Sequence, residues 1–514
     1  MLTIISIIAF LLILGLIIMV HEVGHFLFAK RAGILCHEFA LGMGPVVYKK
    51  RKGETTYSIR AVPFGGFVSM AGEGVGEYIR IGQEIGLNLK EGLIEEIILA
   101  NAKKAEIKGI IHEFNLYGQE DGHLFITLKT DEELVTYECL ANASYIFSQK
   151  DPVQISPYQR CFESKSKTNR FLAIVMGPVM NFVLAFLLFM IYTLFVGVPN
   201  LDSTRIARVS DLSGNHNIIF RNDEIRNVEG NKVNTWQDFT DVMQTITTQT
   251  HINMQIYRNG ELKDLVLNNI IFINSVGLGS TYRNSNQAEL GHAFGRAQQA
   301  GVRAGMIVTA IEYIDNGILV NIPIDNFTTL AEEFQTFDIM TVTLIMADGQ
   351  RFIVETFGDQ VLNNQDIRKI DSRVGVTPSY QFSLTATLTS GFRGIGDTAM
   401  QIFRTLGLVF GRNQQVTVGD LSGPVGIFMM IRNSVSQGFW HTLRFTAFLS
   451  VNVGIINLLP IPALDGGRLV FLGVEAATGK KPNKDFENLL HMLVFFVLIG
   501  FMIYVTLRDI GRFF

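Results

Sequence analysis

Residues Leu2 to Val20 form an apolar run long enough to cross a bilayer as a helix. The run ends in His21-Glu22-Val23-Gly24-His25 before apolar residues resume at Phe26. About 20 apolar residues span the hydrocarbon core, and ionisable groups at that depth are costly and tend to carry function. On a helix, positions four apart lie on one face, so both imidazoles can reach one metal ion, with Glu22 beside them as a base. Chance accounts poorly for the pattern: an accidental HExxH is expected on the order of once in a hundred chains of this length. The run has no basic leader and no small-residue cleavage site after it, so it reads as a retained span rather than a signal peptide.

Composition fits that reading. A chain of 514 residues exceeds one core, and 48% hydrophobic against 18% charged residues describes a membrane protein with soluble parts. A net charge of −4 and the absence of a long basic run exclude a nucleic-acid partner. Three cysteines, Cys36, Cys139 and Cys161, are odd in number and unpaired in spacing, which fits free thiols better than a disulfide framework.

Four stretches have spanning length: 2–29, 171–196, 440–459 and 487–507. Lys30, Arg31 and Lys49 to Lys52 follow the first, Lys165, Lys167 and Arg170 precede the second, and Lys480, Lys481 and Lys484 separate the last two. By the positive-inside rule these groups are cytoplasmic, leaving both termini and the 197–437 region outside a bacterial cell membrane. The expected architecture is a polytopic α-helical membrane protein. Its domains are transmembrane helix 1 (1–30), a membrane-associated β-loop (31–74), a cytoplasmic insert (75–168) and transmembrane helix 2 (169–198). Two outer α/β units (201–282 and 283–380), an amphipathic membrane-surface region (381–437, with a helix at 391–412) and transmembrane helices 3 (438–468) and 4 (485–508) complete the chain. The outer units look like a repeat. Each has a strand, a glycine turn, a helix and a strand pair around Asn259-Gly260 or Asp348-Gly349, ending VGLGSTY (276–282) or VGVTPSY (374–380). The pattern resembles tandem PDZ domains, which capture peptide ends on a sheet edge.

Catalytic zinc needs a third protein ligand and an open position. The extended zincin pattern fails, because Phe28 and Arg31 occupy its glycine and third-histidine positions. Glu38 and Glu54 lie in basic, loop-like surroundings. Far along the chain, SVNVGIINLLPIPALDGG places Asp465 just after a span broken by Pro460 and Pro462. Broken backbone at membrane depth is tolerated only inside protein or at a cavity, so the segment points at a site. The pair His21/His25 and Asp465 lie toward the same, cytoplasmic, end of their spans. An ordinary turn aspartate is the alternative reading of Asp465, and His491, in the fourth span, is left out of the site.

HEVGH, GPVMN (177–181) and NLLPIPALDGG together resemble the site-2 protease family of zinc intramembrane metalloproteases, on the side of the bacterial regulator-of-sigma proteases. The stretches from Phe28 to Glu73, QISPYQRCFESK (154–165) and DLSGPVGI (420–427) are similar to its Gram-positive branch. The resemblance implies Zn2+ held by His21, His25 and Asp465, with Glu22 as catalytic base. It implies substrate contacts at Asn452, Asn457, Pro460 and Pro462, and at Tyr57, Ile59, Gly65 and Gly66 of the β-loop. The substrate is then a single-span membrane protein, such as an anti-sigma factor or a signal-peptide remnant, already trimmed outside. A helical substrate hides its carbonyls, so it must unwind, and an exposed edge at 55–62 is expected to accept it by strand addition. Zinc would polarise the scissile carbonyl and activate water, with Glu22 carrying the proton to the leaving amine. Two alternatives stand beside this: a membrane-anchored zinc protease acting on cytoplasmic or misfolded proteins, and a non-catalytic PDZ scaffold.

Overall fold

The computed structural model describes residues 2–72, 78–99, 105–119, 122–130, 133–147, 152–282, 286–336, 340–358, 362, 367–410 and 423–513. Parts of the 75–168 insert and of the 391–412 and 420–427 stretches lie outside these residues. Two compact units divide the chain: residues 1–189 with 423–506, and residues 190–422 with 507–514.

In the first unit, helix α1 (Leu2–Arg31) packs closely on α2 (Lys167–Val196). A side chain at Gly24 would put its Cβ 2.1 Å from the Met176 carbonyl oxygen, and one at Gly177 would fall 2.2 Å from His25 Nε2. Without a hydrophobic drive between helices in lipid, small residues that let backbones approach supply the packing. Strand β1 (Cys36–Lys52) and strand β2 (Thr55–Met70) follow α1. Lys49, Lys50 and Arg51 pair with Ser58, Tyr57 and Thr56 as a hairpin, while Phe39 and Leu41 pair with Tyr57 and Ile59 as well. Tyr57 and Ile59 therefore have strand partners on both sides, and the free edge expected at 55–62 is absent. The bulges in β1 fold its first half back against the same run, which the alternation of residues does not reveal. Gly66 to Ser69 pair only with Glu38 to Leu41, so among the described residues their other side carries no strand.

The insert forms β3 (Glu84–Lys90), β4 (Leu93–Ile98), β5 (Ile107–Asn115), β6 (Phe125–Thr130), β7 (Glu133–Ile146) and β8 (Pro152–Gln154). β4 also pairs in parallel with β7, closing the sheet around Ile85, Leu87, Ile94, Ile97, Ile126 and Leu128. Closure removes the edges that a small exposed sheet would otherwise offer.

The second unit corrects the boundary expected at 282/283. Strands Ile270–Ile273 and Leu278–Ser280 join the sheet of Ala288–Ala293 and Ile307–Asp315, and Ile370–Arg373 pairs back onto Ile270–Ile273. Their side chains share a core with Phe327, Leu330 and Phe334. Strand Val376–Pro378 instead pairs with Ile206–Val209, whose core holds Ile225, Ile256, Trp236 and Val374. The second unit of the repeat is thus inserted within the first, between residues 269 and 374. The repeat pattern alone cannot show which sheet a terminal strand joins, because that pairing is non-local. Helix α3 (Leu384–Phe410) starts before the expected 391, where Ser383 Oγ accepts from the Ala386 N–H at 3.2 Å.

The first unit resumes with four helices: α4 (Pro424–Ser436), α5 (Phe439–Leu458), α6 (Asp465–Thr478) and α7 (Lys484–Phe513). α4 packs against α1 through Ile431, beside Ile13 and Ile17. Three described helices are long and apolar enough to cross a membrane: Leu2–Arg31, Lys167–Val196 and Asp485–Gly511. α5, the expected third of four spans, is not among them, because His441, Arg444, Asn452 and Asn457 dilute its apolar residues. Its Ala447, Ser450, Val451 and Gly454 are buried, and Ser450 Oγ donates to the Asn181 carbonyl at 2.8 Å. One face of this helix is thus packed against protein, while His441 and Arg444 are exposed.

Candidate metal centre

Two imidazoles one turn apart on α1 face an aspartate that opens α6. His21 Nε2 and His25 Nε2 lie 3.2 Å apart, and Asp465 Oδ2 lies 3.2 Å from the first and 3.3 Å from the second. His21, His25 and Glu22 are buried, and Asp465 nearly so. Distance alone would pair Oδ2 with either ring, yet that oxygen is buried with no donor aligned on it. His25 Nδ1 explains why: its N–H donates to the Ala173 carbonyl at 2.8 Å, which leaves a lone pair at Nε2. His21, His25 and Asp465 each turn one potential ligand atom toward the same point, close enough together to hold a single metal ion. The spacing fits zinc: tetrahedral bonds of about 2.0–2.1 Å put ligand atoms about 3.3–3.4 Å from one another.

Local sequence sets each donor. The loop from Leu459 to Leu464 ends α5, and its two prolines, Pro460 and Pro462, cannot continue a helix. Asp465 is the first residue of α6, where negative charge suits the helix dipole. A Cβ at Gly466 would lie 2.1 Å from the Leu459 oxygen, and at Gly467 2.5 Å from the Ile461 oxygen, so the turn needs both glycines. Behind the histidines, GPVMN acquires a part. Gly177 leaves the space that the His25 ring fills, and the Asn181 amide lies 3.2 Å from His21 Nδ1 with its Oδ1 buried and unpartnered. Gly66 of β2 stands directly over Glu22, 2.9 Å from its Cγ to a hypothetical Cβ.

Other expected contacts are placed differently. Asn452 Nδ2 donates to its own helix at Phe448 O (3.1 Å), and the Tyr57 ring packs on Phe26 and Phe39. Glu38 pairs with Arg60 at 2.7 Å, and Glu54 accepts from Arg160 at 2.8 and 2.9 Å and from Lys30, so both carboxylates are committed elsewhere. Sequence reading missed Asn181, whose signal was available: it lies one helical turn from Gly177 in a motif otherwise without polar side chains. It also set aside His491, whose Nδ1 accepts from the Ala463 N–H at 2.7 Å.

A paired-histidine helix with an adjacent glutamate and a distant aspartate, in a chain with membrane-crossing helices, defines a class: a membrane-embedded zinc metallopeptidase. Comparison with protein families agrees, since the model described as peptidase family M50 matches residues 9–501, and the chain belongs to that family, the site-2 proteases. It is 30% identical to the zinc metalloprotease RasP of Oceanobacillus iheyensis and 30% identical to the regulator of sigma-W protease RasP of Bacillus subtilis, over 99% of each chain. A probable protease, eep, of Enterococcus faecalis is 28% identical, again over 99% of both chains. The protein is therefore a zinc metalloendopeptidase.

Proposed function

We propose that this protein cleaves the transmembrane segment of single-span membrane proteins after a first cut outside, with His21, His25 and Asp465 holding zinc and Glu22 moving the proton. The observation that carries the reading is the convergence of three potential ligand atoms, 3.2–3.3 Å apart, beside a buried carboxylate on a membrane helix. Bound there, zinc supplies the Lewis acidity that makes an amide carbonyl open to attack by water at neutral pH. Glu22 takes the proton from the attacking water and returns it to the departing amine, one carboxylate serving both transfers. Its seat under Gly66 keeps it at the strand where substrate arrives.

The open side of Gly66 to Ser69 is the edge that gives an unwound substrate its backbone partners, in place of the 55–62 edge. Asn457, at the end of α5, offers amide groups to the same segment, and Pro460 and Pro462 keep the facing loop free of helix. A half-turn of the Asn181 amide presents Oδ1 to the His21 Nδ1–H. That satisfies the orphaned oxygen and fixes the tautomer whose Nε2 faces the metal.

Helix α5, with one face packed against protein, counts as the fourth span in this reading, with the basic loops cytoplasmic and 197–437 outside. The exposed Leu388, Phe392, Met400 and Phe403 of α3 fit a helix lying on the outer membrane surface. The nested outer units serve as PDZ-like filters for the trimmed end of the substrate. A cavity of about 420 Å3 between Phe239, Met243 and the strand Ile370–Arg373 is the size of site such an end requires. Anti-sigma factors and signal-peptide remnants are the substrate classes.

Purified protein incubated with a model type II transmembrane substrate tests the reading. Cleavage inside the substrate's span, abolished in Glu22→Gln while zinc is kept, is expected. Asp465→Ala is expected to lose both zinc and cleavage. Activity that survives Glu22→Gln, or full zinc in Asp465→Ala, would overturn it.

A further inference from the structure

The turn that presents Asp465 is held from outside itself. Between α5 and α6, Ile461 N–H reaches Leu459 O at 2.7 Å and Leu464 N–H reaches Ile461 O at 3.1 Å, while Pro460 and Pro462 have no N–H to give. That leaves Ala463, whose N–H goes to His491 Nδ1 of α7 at 2.7 Å. Ala463 is also the one residue of this loop in the left-handed region, at φ 77°, where its Cβ crowds the following carbonyl. The chain reverses there, two residues before Asp465. Such a conformation persists only when its surroundings over-determine it. His491 is itself held in place to accept that bond. Phe471 of α6 packs on its ring at 5.7 Å between centroids, and its Nε2 lies 3.8 Å from the Glu487 carboxylate one turn earlier. Because the Ala463 N–H can only donate, Nδ1 is the accepting nitrogen of the ring.

We propose that His491 is a positioning residue for the metal centre: its Nδ1 fixes the left-handed turn at Ala463 and so delivers Asp465 to His21 and His25. The proposal rests on the reading of Asp465 as a zinc ligand. His491 touches neither metal nor substrate, and it acts only through the backbone of the loop. Its removal leaves a half-buried donor without that acceptor at a strained residue, and the loop relaxes toward φ values that swing Asp465 away from the imidazoles. A glycine at 463 has no Cβ to crowd the carbonyl and holds the turn without that help.

Zinc retention measures this independently of cleavage. The full chain in detergent micelles, loaded with zinc, is titrated with a chelator of graded affinity, and bound metal is counted. His491→Phe is expected to release zinc at roughly tenfold lower chelator concentration, the effect typical of losing an outer-shell partner. His491→Asn, whose Oδ1 can occupy the place of Nδ1, is expected to hold zinc near the wild-type level. Ala463→Gly in the His491→Phe background is expected to recover most of the loss. His491→Leu carries the same expectation as His491→Phe should the larger ring prevent assembly. Equal behaviour of the Phe and Asn variants, or no recovery from Ala463→Gly, overturns the proposal. Asp465→Ala separates the two readings. If it keeps wild-type zinc, the ligand assignment has failed. If it loses zinc while His491→Phe and His491→Leu do not, only the role of His491 has failed.

Discussion

Gly177 and Asn181 occupy one face of α2, a turn apart, and each meets one imidazole. At Gly177 the constraint is steric: a methyl group would stand 2.2 Å from His25 Nε2, well inside contact distance. Gly177→Ala is therefore expected to push the His25 ring off the metal position. The purified variant should carry far less than one zinc and no activity, with far-UV dichroism and elution in detergent unchanged. At Asn181 the constraint is a hydrogen bond at 3.2 Å. Asn181→Leu keeps the branching at Cγ and removes the bond, so zinc affinity is expected to fall about 10–100-fold, read by chelator competition. These residues show what the sequence could reveal. HExxH is legible because its four-residue spacing is itself the geometry of one helix face. Asp465 is legible only indirectly, through two prolines that break a span. The lone polar side chain of Asn181 in an apolar motif is legible as a signal, but which ring it and Gly177 serve is not, because each ring belongs to another helix.

Elements tell a similar story, most clearly in the β-loop. That Thr55–Val62 is a strand follows from its β-branched and aromatic residues, but which of its edges is covered depends on a bulged partner. The loop is fastened at its hairpin by Glu54, which accepts from Arg160 at 2.8 and 2.9 Å and from Lys30 at the end of α1. Those bonds, Arg160 foremost, hold the Glu54 carboxyl down at about 2 against an ordinary 4.5. A depressed carboxylate contributes stability that is complete above its ordinary value and disappears as pH falls through the folded one. The window is thus pH 4.5 down to 2. All three side chains are a quarter to a third exposed, so the contribution is about 1 kcal/mol or less. Thermal melting in detergent should show wild type and Glu54→Gln converging as pH falls through that window, with the variant lower above it. A constant gap across the window would assign the effect to something other than this charge.

For the whole molecule, the ends of the chain build one unit and residues 190–422 build the body of another. The candidate metal centre draws on both ends, 21–25 and 465, so the second unit is an excursion of the chain between its two halves. The sequence resemblance has the same outline, dense at the ends and sparse in the middle. The basic loops provide the physical ground for assigning sides: Lys49 to Lys52 and Lys480 to Lys484 favour the cytoplasm, whereas 197–437 has no such cluster beside a span. Thiol labelling tests this cleanly because the native background is quiet. Cys36, Cys139 and Cys161 are all buried, and burial pushes the Cys139 thiol up to about 12, leaving almost no thiolate to react. New cysteines at exposed Lys50 and Lys90 of the first unit, and at exposed Glu261 and Asp348 of the second, report the sides. A membrane-impermeant maleimide added to intact cells is expected to label Glu261→Cys and Asp348→Cys at once. Lys50→Cys and Lys90→Cys should label only after the membrane is opened. Labelling of all four in intact cells would place the insert outside with the second unit. Reaction at 50 and 90 alone would invert the chain and put the metal centre toward the outer face.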